Sequence, residues 1–369
     1  MVLNFRTMKT IKVGLEDLKL PTKVAKRIGD VRNRIIKLLG DETRMFVFGG
    51  VLRNYLLNLL GHKVKEDTDV DILVEVQRPI HEVITALSAE EEFQPFLVVS
   101  EDALRVYLDD DNHIDLKFTY LVGDTPFDFS VNAVLAPLPP LLEGEKSHLH
   151  VAFLEDFEKR VLRHIAPLDV YPFHLVRGVR LAATLGLKFH HATLTAYYKA
   201  AKHINNVGVQ LVHRELAKAL SEGFEKAVHA FYVTTLVLHF FPPLLKFAKS
   251  NKDAYIQSYL LAHNIVRQFN PTSGDKKIKR LLGKKLVTYT LAPQRPLIYS
   301  YAVAAMLLPL PTDKVLKVLT ERNFFPAERG LILQCIAAVR EPSFVQKLPL
   351  VLPFYIAWEN AQKELERQR

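Results

Sequence analysis

Two aspartates set two residues apart, Asp69 and Asp71 in the stretch TDVDILVEV, are the residues of this chain best suited to do chemistry. Around them Val70, Ile72, Val74 and Val76 alternate with Asp69, Asp71 and Glu75, and only Leu73 interrupts the polar side. That alternation predicts a strand buried mainly on one face, with both carboxylates projecting from the other. Two close carboxylates need a compensating cation, and hard oxygen donors at this spacing suit Mg²⁺ shared with substrate phosphates. An Asp-x-Asp pair on a strand is also what a solvated sheet face looks like, so its neighbours decide its meaning.

About twenty residues earlier, FGGVLRNYLLNLL reads as a strand, a Gly49-Gly50 turn and a helix. Paired glycines let a phosphate approach the backbone, and the helix N-terminus offers unpaired N–H groups to an anion. Arg53 lies in the first turn of that helix, within reach of such a phosphate. A tight turn with Arg53 in an ordinary surface ion pair is the plainer alternative. Cradle and carboxylate strand together describe a nucleotidyl-transfer site. A second alternating strand, Ile114 to Tyr120, carries Asp115 on its polar side, either as a third carboxylate of that site or as a surface residue. The segment 128–138, DFSVNAVLAPL, is a strand or strand-to-loop element containing Asp128 and Asn132.

The elements that must position these residues form an α+β pattern. Residues 14 to 40 make a helical lead-in broken at Pro21, and the strands follow. After about residue 152 helical periodicity takes over, at 173–185, 193–203, 214–220 and 224–238. The proline cluster Pro137, Pro139 and Pro140 marks the change. The expected division is a head over 1–140, a helical neck and body over 141–245, and a helical body or tail over 246–369.

Composition bounds the partners. The 369 residues are 49% hydrophobic and 24% charged, the balance of a soluble globular protein. The formal charge of +9 suits a polyanion, through counterion release, or a solvated basic surface. Its densest expression is GDKKIKRLLGKK, with Lys276, Lys277, Lys279, Arg280, Lys284 and Lys285, either an RNA-backbone contact or a solvated helix face. The single cysteine, Cys335, excludes an intramolecular disulfide, and its apolar neighbours predict a core position. His148/His150 and His190/His191 lack partners at metal-ligand spacing and read as exposed or capping residues. The closing NAQKELERQR reads as an exposed, frayed helix. Without an apolar leader or a bilayer-length apolar stretch, a cytoplasmic protein with no membrane association is expected.

FGGVLRNYLL followed by TDVDILV resembles the signature of class II tRNA nucleotidyltransferases, the CCA-adding enzymes, and of bacterial poly(A) polymerases, GG-x-V-R-D-x-L-L and then D-x-D. DFSVNAV at 128–134, DFEKRVLRHIAP at 156–167, LVRGVRLAATLGLKF at 175–189 and HRELAKAL at 213–220 resemble later family motifs in the same order. The resemblance spans residues 14 to 245 and implies a polymerase β-like head with a mixed sheet, followed by an all-helical neck, body and tail. It implies template-independent transfer of a nucleotide from ATP or CTP to an RNA 3′ end, in particular that of tRNA, with release of pyrophosphate. Asp69 and Asp71 would hold two Mg²⁺ ions, with Asp115 beside them. Gly49, Gly50 and Arg53 would hold the triphosphate. Asn54, Asp128, Asn132, His174, Arg177 and Arg180 would line the nucleotide.

The pattern also departs from the family. The family aspartate after the turn arginine is Asn54, and Pro126 and Phe127 replace two arginines. Aligned on Pro172, the neck motif E-D-P-x-R becomes Val170, Tyr171 and His174. A retained metal site beside a rewritten base-reading edge points to altered nucleotide specificity, or to an RNA-binding relative with weakened catalysis. A poly(A) polymerase, or a transferase acting on a small molecule or protein, are the other readings.

Overall fold

The alternating segments of the first 151 residues assemble into one mixed sheet. The computed structural model describes residues 8–20, 22–65, 69–90, 96–107, 113–122, 127–142 and 146–368. Its strands are β1 (Lys9–Val13), β2 (Met45–Phe48), β3 (Val70–Glu75), β4 (Phe96–Ser100), β5 (Ala103–Tyr107), β6 (His113–Thr119), β7 (Val134–Pro137) and β8 (Ser147–Val151). They lie in the order β1-β8-β7-β2-β3-β6-β5-β4. Neighbours are antiparallel except β3 and β6, which run parallel. Parallel neighbours need a long crossover, supplied here by the chain between them with its helix α3 (Ile80–Ser88). The helical lead-in is α1 (Thr22–Leu39), and α2 (Gly50–Leu59) follows the glycine turn; Pro21 lies outside the described residues.

Val70, Ile72 and Val74 are buried, as the alternation requires. Leu73, the interruption on the polar side, joins Phe46, Val122, Phe127, Ala133 and Leu135 in a second apolar cluster, so the sheet is covered in part on both faces. DFSVNAVLAPL is not one strand: Ser130–Asn132 form a tight 3-10 turn before β7 begins. Pro137 ends β7 and the short α4 (Leu138–Leu142) follows; the side chains of Pro139 and Pro140 lie outside the described residues. The sheet does not stop at this cluster, because β8 pairs with β7 and β1. After α5 (Leu154–Glu158), the first compact unit closes at Ala166 and the second begins at Pro167.

The second unit is helical apart from short extended pieces. It comprises α6 (Phe173–Leu185), α7 (His191–Ala200), α8 (Val209–Gly223), α9 (Glu225–Val233), α10 (Leu236–Phe240), α11 (Pro242–Ser250), α12 (Lys252–Gln268), α13 (Lys276–Leu282), α14 (Lys285–Thr288), α15 (Leu297–Leu307), α16 (Thr312–Glu321), α17 (Pro326–Arg340) and α18 (Leu352–Arg367). The periodic stretch 224–238 is two helices because Thr235 adopts a left-handed φ of 60° between them. A Cβ at Gly223 would lie 2.8 Å from Ala183, so α6 and α8 touch at backbone distance there. The His190 ring accepts from the Ala192 N–H at 3.2 Å and caps α7. Cys335 is buried in α17. The C-terminal helix is docked rather than frayed: Ala361 is buried, Asn360 donates to Asp275 at 3.2 Å and Glu364 pairs with Arg267. Among the described residues, no helix is long and apolar enough to cross a membrane.

His213 is the titratable group on which this unit's packing is most exposed to pH. It is fully buried among Phe240, Tyr299 and Phe324. Its Nε2 lies 2.6 Å from the Arg322 carbonyl, which can only accept, so Nε2 carries the proton and Nδ1 accepts from the Tyr299 hydroxyl at 2.5 Å. Burial, reinforced by the nearby Arg295 charge, lowers its pKa to about 3. An unfolded histidine titrates near pH 6.5, so between pH 6.5 and 3 the unfolded chain takes up a proton that the native one refuses. Stability from this group is complete above pH 6.5 and falls on acidification, by about 2 kcal/mol between pH 7 and pH 5. Urea titrations followed by the fluorescence of Trp358, the only tryptophan, should show this drop. A His213→Gln protein should be less stable at pH 7 and show a distinctly shallower loss.

Candidate active site

The register of β2 and β3 places Asp71 opposite Phe48, next to the glycine turn. Gly49 adopts φ 74° and ψ −134° at the N-terminus of α2, a backbone that an L side chain resists. A Cβ built on Gly49 would lie 2.6 Å from Asp71 Oδ2, so this carboxylate rests directly against the turn. A carboxylate is favoured there, because the N-terminus of a helix carries partial positive charge. Asp69, just before β3, is half-exposed and two positions away, on the same side of the extended chain. The donor set fits a divalent cation. It offers two hard carboxylates beside a turn stripped of side chain, with the remaining coordination left to water and phosphate. Among the described residues, no group of three histidine, cysteine, aspartate or glutamate side chains is assembled to hold a metal ion.

Asp115 is brought to the same row of the sheet, in parallel register opposite Asp71. Its other neighbour is Arg105 of β5, whose Nε and Nη2 donate to the two carboxylate oxygens at 2.7 Å each. This fork, ahead of any other influence, raises the Arg105 pKa. His113, on the same face of β6, lies 3.6 Å from Asp69 Oδ1 and 3.8 Å from Asp115 Oδ2. Neither Arg105 nor His113 was singled out by sequence reasoning. The signal was available in ALRVY, where Arg105 occupies the polar position of an alternating segment.

The cradle arginine is buried within a polar network. Arg53 donates through Nε to Asn54 Oδ1 at 2.9 Å and through Nη1 to Asn132 Oδ1 at 2.7 Å. Asn132 in turn donates to Asp128 Oδ1 at 2.8 Å, which also accepts from the Phe129 N–H at 2.7 Å. All four polar side chains are buried. Asn54 also donates to the Lys65 carbonyl at 2.9 Å, a bond that an aspartate could not make. Phe127, where the family pattern has an arginine, belongs to the second apolar cluster and meets Phe48 edge-on with ring centroids 6.2 Å apart. Pro126 lies outside the described residues.

His174, Arg177 and Arg180 belong to α6 of the second unit. Arg180 is engaged there, with Nε donating to Glu215 Oε2 at 2.6 Å. The neck positions Val170 and Tyr171 are exposed, and the Tyr171 ring stacks on His174 with centroids 5.4 Å apart. In the basic cluster Asp275 caps α13, and Ile278, Leu282 and Leu286 turn inward. Lys276, Lys277, Arg280, Lys284 and Lys285 are exposed and Lys279 is half-exposed, so the cations form a surface face. Replacing Asn132 by alanine removes the links to Arg53 and Asp128 together. The expected cost is about 2–3 kcal/mol, read as a lower melting temperature for the first unit.

Neither a known family profile nor a curated protein matches the chain by sequence. Solved structures do match it in three dimensions. A CCA-adding enzyme in complex with ATP is 16% identical, with a TM-score of 0.61 over 96% of this chain and 86% of that one. The Thermotoga maritima CCA-adding enzyme complexed with tRNA is 17% identical, with a TM-score of 0.59 over 96% and 85%. A tRNA-processing enzyme in its apo form is 16% identical, with a TM-score of 0.58 over 90% and 93%. At such identities the likeness speaks for architecture: a mixed-sheet head followed by a long helical region gives this chain the fold of the CCA-adding enzymes.

Proposed function

We propose that this protein is a metal-dependent nucleotidyltransferase that extends RNA 3′ ends, with the tRNA 3′ end as its substrate. The observation that carries this reading is the Asp71 carboxylate seated against Gly49 at the N-terminus of α2, with Asp69 beside it. Asp69 and Asp71 would hold Mg²⁺, which when bound supplies activation of the attacking 3′-hydroxyl and neutralises charge on the departing pyrophosphate. The Gly49-Gly50 turn admits the triphosphate. Arg53, fixed by Asn54 and Asn132, meets it with an oriented guanidinium.

The helical region from Pro167 onward acts as neck, body and tail, whereas residues 146–166 complete the head through β8. Its cationic face, Lys276 to Lys285, takes the RNA backbone. The nucleotide is ATP, with CTP the second candidate. Val170 and Tyr171 offer no side-chain hydrogen-bonding pair of the acidic kind, so base selection by that route is weakened. Several independent features support the reading: the motif order in the sequence, the fold shared with CCA-adding enzymes in complex with ATP, CTP and tRNA, and the net charge of +9. The setting is the cytoplasm, where tRNA ends are exposed to repair.

The test is incorporation of each labelled nucleoside triphosphate into tRNA lacking its 3′ end, in Mg²⁺. Asp69→Ala/Asp71→Ala should abolish it. Gly49→Ala, which drives a methyl into Asp71, should lower it at least about 100-fold, the cost of misplacing a reacting group. Incorporation limited to CMP and AMP identifies CCA addition, and repeated AMP alone identifies poly(A) synthesis. Failure of every triphosphate, with tRNA still bound, would reject the transferase in favour of an RNA-binding relative.

A further inference from the structure

We infer that Arg105 is a positioning residue of the metal site. It holds Asp115 as its counter-ion, so that the divalent cation is carried by Asp69 and Asp71 alone. The inference rests on the transferase reading above and goes beyond it in assigning the third carboxylate. Asp115 stands between Asp71 on one neighbouring strand and Arg105 on the other. The planar guanidinium takes both of its oxygens at 2.7 Å, the bidentate geometry that Arg forms with carboxylates. Both side chains are about 30% exposed, so neither is fully solvated in compensation if the pair separates. Ligation by Asp115 would require one oxygen to leave the fork.

Electrostatics gives the pair its function. Asp69, Asp71 and Asp115 occupy adjacent positions of one sheet face, and three uncompensated charges there would repel. Arg105 cancels the charge of Asp115, so that the carboxylates offered to the cation are Asp69 and Asp71. In the next row His113 lies within 4 Å of both Asp69 and Asp115.

A charge-balanced pair of variants separates counter-ion from ligand. Mn²⁺ binding to the full chain is measured by electron paramagnetic resonance, with melting curves to confirm folding. Arg105→Gln frees the Asp115 charge and should tighten Mn²⁺ about tenfold. Asp115→Asn strands the Arg105 charge and should weaken it about as much. The double variant Arg105→Gln/Asp115→Asn restores the balance and should bind within about twofold of the unsubstituted protein. Arg105→Lys, which keeps the charge, should also stay close to it. A double variant as weak as Asp71→Asn would make Asp115 a ligand and overturn the inference, as would an Arg105→Gln protein that binds no more tightly.

Nucleotide incorporation by the unsubstituted protein is read alongside. Asp71-dependent Mn²⁺ binding with the restored double variant but no incorporation overturns the transferase and leaves the charge assignment standing. Incorporation with an unrestored double variant does the reverse. No Mn²⁺ binding by the unsubstituted protein overturns both.

Discussion

The Asp71 carboxylate lies where a side chain at residue 49 would have to go, and much of the head follows from that contact. It is possible only because β2 and β3 pair with Phe48 opposite Asp71, which ends one strand beside the other's acidic position. It also requires a positive φ at Gly49, which turns the chain at once into α2. Register, turn and helix start are therefore a single geometric constraint. A one-residue slip of β3 would send Asp71 to the apolar face and Ile72 to the turn.

Each unit is organised in addition around a buried arginine. In the first, Arg53 is gripped by the amides of Asn54 and Asn132, and Asn132 donates in turn to Asp128. In the second, Nη1 of Arg295 donates to Glu328 at 2.8 Å and Nη2 to Gln210 at 2.5 Å, and its guanidinium carbon lies over the rings of Phe324 and Phe325, 5.9 and 5.3 Å from their centroids. Glu328 also accepts from the Phe325 N–H and so anchors the start of α17. A buried ion pair of this kind adds little net stability but is costly to break, by about 3–5 kcal/mol when one partner is removed.

How much of this could be read from residues depended on whether the information was local. Alternation located β3 and β6, a short apolar run ahead of the glycine turn located β2, and helical periodicity located α1, α2 and α6, because each buries a regular apolar stretch or stripe. The edge strands β1 and β4 were missed: KTIKV and FLVVS carry no clean alternation, and Leu97, Val98 and Val99 are all exposed. The break inside 224–238 was hidden because a left-handed threonine leaves no mark in hydrophobic spacing. At the site, Asp69, Asp71 and the glycine turn were legible as spacing. The fork from Arg105 was not, since it depends on which strand lies beside β6. Asn54 reads in sequence as a lost charge; in place, its amide makes a second bond, to the Lys65 carbonyl, that the charged residue could not.

The pairing of β1 with β8 has a consequence for how the chain is made. Lys9 faces Val151 and Val13 faces Ser147, so the first strand of the sheet finds its partner only after some 140 further residues have been synthesised. At roughly 5–20 residues per second, that is a wait of about seven to thirty seconds in which β1 has no native neighbour. Lys9 and Lys12, exposed on this short strand, are the kind of charge that keeps a waiting strand from pairing elsewhere. Strands β2 to β6 can meet during translation; the β1 edge of the sheet is closed only after β8 has been made.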